Sequence, residues 1–492
     1  AEAFARAGAR ARAVGAPASA ERSYRRARQL DPDSESATHW RIGAVDAAVA
    51  AGHYATALEE ADCRGAGVEV TTPEGVNLSI LHMRTLARLG RNDEAIEEMR
   101  QALEARGTRP PDAESARLRG EFASLLFTVG QLERADVEGE LALAEGQAFQ
   151  VPLAVMRGAE ERGWSLAVRG RVEEALVMLE WCVRLVAEDG TLRDQARVTM
   201  NLGDLEAQYD RPGSVAHFEA AMTLSRRAGA QELLPTVASN LTWIWGLQGR
   251  WREAQQITDE YLERLPPGVD RAYLDLSLAP IACWRGDVSA AAARLSSAAD
   301  LPSGIEVQLR AQADAVDCAV KLASGDAASA LHTAERTLAA HISVLGVSHQ
   351  AVRQMWPDAV EAALLAGDDR LADQWLAEMA AVPPGLRPPY LVAHLSRLRG
   401  LRLSAREHRA TAVGELAEAV QGFSSLGYPY WTARAQLDQA RFLAEVGDPS
   451  SVALAAAAQA TFSQLGADVW QEAARGLLPS ELPLSATANR PA

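Results

Sequence analysis

Residues 1–34 read AEAFARAGARARAVGAPASAERSYRRARQLDPDS. Two helix-forming segments flank Gly15, and Ala20 stands five residues after it. A tight reversal between antiparallel helices needs a residue at ease with positive φ, hence glycine. A small side chain just inside the second segment, here Ala20, lets the two helices approach closely. The stretch stops at Asp31-Pro32-Asp33, because proline cannot continue a helix and restricts the residue before it. It therefore reads as one helical hairpin.

The phrase recurs. Its glycine returns as Gly15, Gly52, Gly90, Gly130, Gly170, Gly249, Gly286, Gly325, Gly367 and Gly447. Nine of these ten have alanine at the fifth following position: Ala20, Ala57, Ala95, Ala135, Ala175, Ala254, Ala291, Ala330 and Ala372; the tenth has Val452. Two gaps fit further units with turns near Asp210 and Arg406, which gives twelve units at intervals of 37 to 42 residues. Such a period marks an array whose units bury their apolar faces only against their neighbours. The expected fold is all-α, an α-solenoid of about twelve antiparallel helical hairpins over residues 1–476, with a disordered tail over 477–492. Loops such as Thr108-Arg109-Pro110-Pro111 and Leu265-Pro266-Pro267-Gly268 separate hairpins, and Val382–Pro389 is a candidate flex point.

In the first unit Gly8, Gly15, Ala20, Tyr24, Ala27 and Pro32 stand at the signature positions of the tetratricopeptide repeat, which the unit resembles. Later units keep the Gly-to-Ala spacing and mostly lose the aromatic and the proline, like the degenerate repeats of bacterial signalling ATPases. The last unit carries Leu426-Gly427, Tyr430-Trp431, Ala433-Arg434-Ala435, Leu437-Asp438, Ala440-Arg441, Phe462, Leu465-Gly466-Ala467 and Trp470. It resembles the C-terminal end of large bacterial signal proteins in which an AAA or NACHT-type ATPase precedes a tetratricopeptide region. That resemblance implies a tetratricopeptide-like superhelix acting as a non-catalytic, cytoplasmic interaction and regulatory region. Its partner would be a protein or peptide, or the ATPase module of its own full-length chain. Alternatives are part of a class III adenylate or guanylate cyclase whose catalytic domain lies upstream, or the sensor arm of a LuxR- or SARP-like transcriptional regulator. No basic recognition helix follows Trp470, which disfavours a C-terminal helix-turn-helix. Ala1 falls at the first position of a repeat, so the chain is expected to be cut from something larger.

Units aligned on their turns show a polar stripe. Thirteen residues before the turn come Asn77, Arg117, Arg157, Arg197, Thr236 and Tyr273; nine before it come Leu81, Glu121, Glu161, Asn201, Asn240 and Ser277. Positions four apart share one face of a helix. In tetratricopeptide proteins these two columns line the concave groove, so the resemblance implies a peptide groove at Arg117, Glu121, Arg157, Glu161, Arg197, Asn201, Asn240 and Tyr273. Arg197 with Asn201 and Asn240 comes closest to a carboxylate clamp of one cation and two carboxamides, whereas Glu121 and Glu161 depart from it and would repel a carboxylate ligand. Arg117–Glu121 and Arg157–Glu161 also read as ion pairs, within one helix or between repeats, on a solvated face. Under the groove reading Arg197→Ala weakens ligand binding and leaves the melting temperature unchanged. Trp243 and Trp245 are two residues apart and cannot share a helix face, so one is expected in the core and the other exposed.

The formal net charge is −16, from 65 acidic and 49 basic residues, which argues against a general affinity for nucleic acid. Lys321 is the one lysine. Ala1–Gly15 has no apolar core of a leader, and the uncharged stretch Pro449–Ala467 is too polar for a membrane span. Cys63, Cys182, Cys283 and Cys318 form no CxxC pair and read as buried free thiols. Phosphate-loop, HExxH and GxSxG motifs are absent, and the nearest histidine pair, His341 and His349, fits no common metal spacing. Asp368-Asp369 read as cap acids. No catalytic residue, metal site or cofactor is expected.

Overall fold

The computed structural model describes residues 1–62, 67–107, 109–298, 307–404 and 409–478. Among them lie twenty-five α-helices, two short 3-10 turns and no strand. Twenty-four of the helices form twelve successive antiparallel hairpins, from Glu2–Ala13 with Pro17–Leu30 to Pro429–Glu445 with Ser450–Leu465, and Asp468–Arg475 closes the array. The chain is an all-α solenoid of tetratricopeptide-like hairpins. Cys63, Thr108, the turn expected near Arg406 and the tail from 479 onward lie outside the described residues.

The repeating phrase does what its chemistry requires. All ten turn glycines adopt positive φ, between 69° and 89°. The nine alanines five residues later are at most 2 % exposed. Val452 departs from this column: it is 37 % exposed, and Ser451 beside it is buried instead. In three of the four units where aspartate follows the turn glycine it caps the second helix. Asp287, Asp326 and Asp368 accept the backbone N–H of Ala290, Ser329 and Leu371, each at 3.0 Å.

The array winds into a superhelix whose successive coils touch. Tyr54 Oη donates to Asp270 Oδ2 at 3.5 Å across 216 residues, and Tyr428 Oη to Asp210 Oδ1 at 2.7 Å across 218 residues. One coil therefore takes roughly five hairpins of 37 to 42 residues. The turn edge of one coil abuts the inter-hairpin loops of the next. Gly170 lies against Leu386 of the Val382–Pro389 segment, Gly249 against Pro429 and Leu465, and Gly286 against Val469.

Asp210 is the exception among the turns. It holds φ 54° without being glycine, a conformation that costs energy unless its surroundings fix it. Its carboxylate accepts the Tyr390 N–H at 2.8 Å and the Tyr428 hydroxyl, and pairs with Arg353. Both ionic side chains are at most 1 % exposed. Arg353 Nη1 also donates to the carbonyls of Ala207 and Gln208 at 2.6 and 2.9 Å, satisfying the end of helix Leu192–Gln208. This group ties the sixth hairpin to the tenth, eleventh and twelfth.

Coil-on-coil packing also corrects the tryptophan expectation. Trp243 and Trp245 are both buried, at 7 % and 8 % exposed. Helix Leu234–Leu247 is covered on both faces: the Arg353 guanidinium lies 5.2 Å from the Trp243 ring and Arg250 lies 4.5 Å from Trp245.

Candidate functional site

The first helix of each hairpin faces the superhelix axis, so its two inward columns point into the middle of the coil. There they line a cavity of about 340 Å³, within the range of ~300–1,000 Å³ that ligand pockets occupy. Seven of the eight groove residues read from the sequence meet on its wall: Glu121, Arg157, Glu161, Arg197, Asn201, Asn240 and Tyr273. Arg117 does not. It lines a neighbouring cavity of about 280 Å³, where it donates to Asn77 Oδ1 and pairs with Glu114 at 2.9 Å.

Ion pairs partition these spaces, and most of them run between repeats. The pairs Arg117–Glu121 and Arg157–Glu161 within one helix do not form. Glu121 instead accepts from Arg84 Nη2 at 2.8 Å and Arg157 Nε at 2.9 Å, side chains from the helices on either side. Nor is the face solvated, since Glu121 and Arg157 are each 5 % exposed. Burial alone would raise the Glu121 carboxyl, but the Arg157 and Arg84 charges overcome it and hold the group well below the usual range.

The carboxylate clamp is already filled. Arg197 Nη1 donates to Glu160 Oε2 at 2.5 Å and Asn201 Nδ2 to Glu160 Oε1 at 2.6 Å. Glu160 is 1 % exposed. Arg197→Ala would therefore leave a buried carboxylate without its main cation. Asn201 stays bonded and Arg157 Nη1 stands 3.7 Å away, so we expect a stability loss of about 2 kcal/mol in urea denaturation. This revises the expectation that the substitution spares the melting temperature. An unchanged midpoint would show that Glu160 does not need Arg197.

Three buried atoms on the wall have no hydrogen-bond partner, Glu161 Oε2, Glu232 Oε2 and Arg197 Nε, but Glu232 and Arg197 are otherwise held in ion pairs. The Glu161 carboxyl is pushed up to about 8, first by burial and then by the charge of Glu160, against Arg157 and Arg197. Asn240, part of the expected clamp, makes no side-chain hydrogen bond among the described residues and faces the cavity. Asp204, one helical turn beyond Asn201, is raised to about 6 by burial, opposed by a hydrogen bond from Gln208 at 3.3 Å.

The same columns continue into the second coil, beyond where the sequence reading stopped. They place Gln312, Asp358, Arg434 and Asp438 on the axis at the register of Asn201 and Arg197. Arg397 joins Asp438 at 2.6 Å and Glu361 at 2.9 Å, and Arg434 joins Glu361 at 3.0 Å. Counting thirteen and nine back from the later glycines would have found most of them. Here the axis is filled by ion pairs and rings: Arg434 lies 3.4 Å from the Trp470 ring.

His341 and His349 act separately. His341 Nε2 lies 2.9 Å from Asp314, and His349 Nδ1 accepts the Ala351 N–H at 3.2 Å to cap its helix. Among the described residues no group of three His, Cys, Asp or Glu is placed to hold a metal ion, and no helix is long and apolar enough to cross a membrane.

No protein-family model matches the chain, and no curated protein matches it. Solved structures do. A Rap protein complexed with competence and sporulation factor is 12% identical, with TM-score 0.45 over 74% of this chain and 100% of that one. The APC/C hetero-tetramer Cut9-Hcn1 is 11% identical, with TM-score 0.47 over 98% and 94%. An IFIT1 monomeric mutant with Gppp-AAAA is 15% identical, with TM-score 0.42 over 82% and 90%. At these values the likeness says nothing of what this chain binds.

Proposed function

We propose that the chain is a non-catalytic binding scaffold that takes a short polypeptide segment into its axial cavity. One observation carries this reading: the inward columns leave Glu161 Oε2 buried and unpartnered at the wall of a cavity of about 340 Å³, with the partly buried Asn240 amide facing the same space. A fold rarely leaves a buried polar group unpaired unless a partner supplies the missing bond. The reactive side chains are committed elsewhere. Cys182, Cys283 and Cys318 are buried thiols, and burial, with the charge of Asp358, pushes Cys283 up to about 12.

The cavity wall draws on both coils. Glu121 and Glu161 come from the first, Gln312 and His349 from the second. A ligand touching both would favour the wound form over an opened one, and so bias anything attached to the array. The resemblance of residues 426–470 extends the proposal: a regulatory sensor region, residues 1–476, of a larger cytoplasmic bacterial signalling ATPase, with that ATPase module as a second partner.

The test is fluorescence anisotropy of the full chain with a mixed library of labelled pentapeptides. Saturable binding is expected, with loss of about tenfold or more in Asn240→Trp, whose indole would fill the cavity while the melting temperature holds. Absence of saturable binding, or equal binding by the filled variant, overturns the reading.

A further inference from the structure

The charges around the cavity are unevenly matched. Its arginines are spoken for: Arg84 and Arg157 by Glu121, Arg197 by Glu160, Arg193 by Glu232, and Arg88 by Asp270. Two acids are not. Asp204 pairs with no cation among the described residues, and its only side-chain hydrogen bond comes from neutral Gln208. Glu161, 4 % exposed, keeps Oε2 without a partner on the same wall. Arg197 Nε has no hydrogen-bond partner, but the guanidinium charge is matched by Glu160, so an anionic ligand would meet no cation lacking a counter-charge here. A carboxylate held partly out of water without a counter-charge, as Asp204 is, is costly, and a ligand that brings the counter-charge recovers that cost.

Asp204 also opens onto a side recess of about 60 Å³. Phe127 and Trp164 line it, their ring centroids 5.6 Å apart at an interplanar angle of 31°. Trp164 and Asp204 hold the same register on neighbouring first helices, six residues before their turns at Gly170 and Asp210. The remaining polar wall, Gln208, Gln308, Ser348 and His349, is uncharged at neutral pH, since burial holds His349 down at about 4. Aromatic faces beside an unmatched carboxylate attract an organic cation through both the ring quadrupole and the full charge.

We infer that the recess formed by Asp204, Phe127 and Trp164 receives an ammonium or guanidinium group, with Glu161 and Asn240 holding the rest of the ligand in the main cavity. This rests on the reading of the cavity as a polypeptide site and adds the class of residue it selects, lysine or arginine. A free polyamine carries the same chemistry, and the experiment separates the two sources.

Isothermal titration calorimetry of the full chain would compare Gly-Gly-Lys-Gly-Gly, its arginine and norleucine counterparts, its glutamate counterpart, and spermidine. Lysine and arginine peptides should bind about tenfold tighter than the norleucine peptide, and the glutamate peptide weakest. Asp204→Asn should erase the preference for the cation and leave the melting temperature equal or higher, because it removes a partly buried charge that no cation compensates. A purely structural role for Asp204 would lower that temperature instead, which overturns the inference. Peptide binding with no preference for the cation overturns the inference and leaves the cavity reading standing. Spermidine binding that depends on Asp204, without peptide binding, supports the cation recess and overturns the polypeptide source. No binding by any probe overturns both.

Discussion

Arg353→Ala is expected to lower the free energy of unfolding by roughly 3–5 kcal/mol, the range for removing one partner of a buried ion pair. The side chain is 1 % exposed and does three things at once. It neutralises Asp210, it satisfies the Ala207 and Gln208 carbonyls, and it lies 4.8 Å from the Tyr390 ring. Without it Asp210 keeps the Tyr390 N–H and the Tyr428 hydroxyl but has no cation. The loss should have a distinctive form. Hairpins stack on their neighbours whether or not the coils touch, so helix content by circular dichroism should stay near the wild-type level. The radius of gyration from solution scattering should rise as the sixth hairpin separates from the tenth. A variant within 1 kcal/mol of wild type, with unchanged scattering, would show that something other than this group holds the coils together.

That lock marks the boundary of what could be read in advance. The hairpins were legible because each is specified locally: glycine at positive φ with alanine five residues later recurs in nine of the twelve units and reports on contacts within each. The coil pitch is a small rotation summed over about five units, and no single unit records it. The residues that fasten it, Asp210, Arg353, Tyr390 and Tyr428, each occur once and so make no period. Asp210 was visible only as the turn of an irregular unit. The same blindness misplaced one of the two tryptophans, since the second cover on helix Leu234–Leu247 comes from more than a hundred residues away along the chain.

The site was legible to the same depth. Positions four apart must share a face, so the columns found the cavity wall and gathered seven of its residues. Their partners stand off the columns. Glu160 sits one residue before Glu161 and captures the clamp, and Arg84 reaches Glu121 from the preceding hairpin. Which carboxylate takes which guanidinium depends on side-chain reach across neighbouring helices, a detail the spacing of residue types does not encode. The unmatched acids emerge only once every arginine has been assigned.

Glu161 makes that imbalance measurable through pH. Its carboxyl is raised from 4.5 to about 8 in the fold, by burial and by Glu160. A raised folded value means the native state prefers the protonated form. The stability this contributes is complete below about 4.5 and is lost as pH climbs through about 8. Glu161→Gln keeps the shape and cannot ionise, so the variant should match wild type near pH 5 and exceed it at pH 8. A shift of this size is worth ~5 kcal/mol at ~1.36 kcal/mol per unit, and water reaching the cavity wall cuts the expected gain to about 3 kcal/mol. The buried histidines slope the other way: His394, fully buried with both ring nitrogens unpartnered, and His349 are held down by burial. Their contribution is present above the unfolded value of about 6.5 and lost below it. The window from about 6.5 to 8 is therefore free of these two histidines, and comparing the variant with wild type cancels every group but Glu161. Urea midpoints at pH 5, 6.5 and 8 decide the matter, and parallel curves for the two proteins would mean that Glu161 ionises freely in the fold. Any downward slope the variant keeps in that window belongs to Asp358, which burial and Glu361 also push up to about 8, and to His217, which its hydrogen bond with Glu206 raises above the ordinary histidine value.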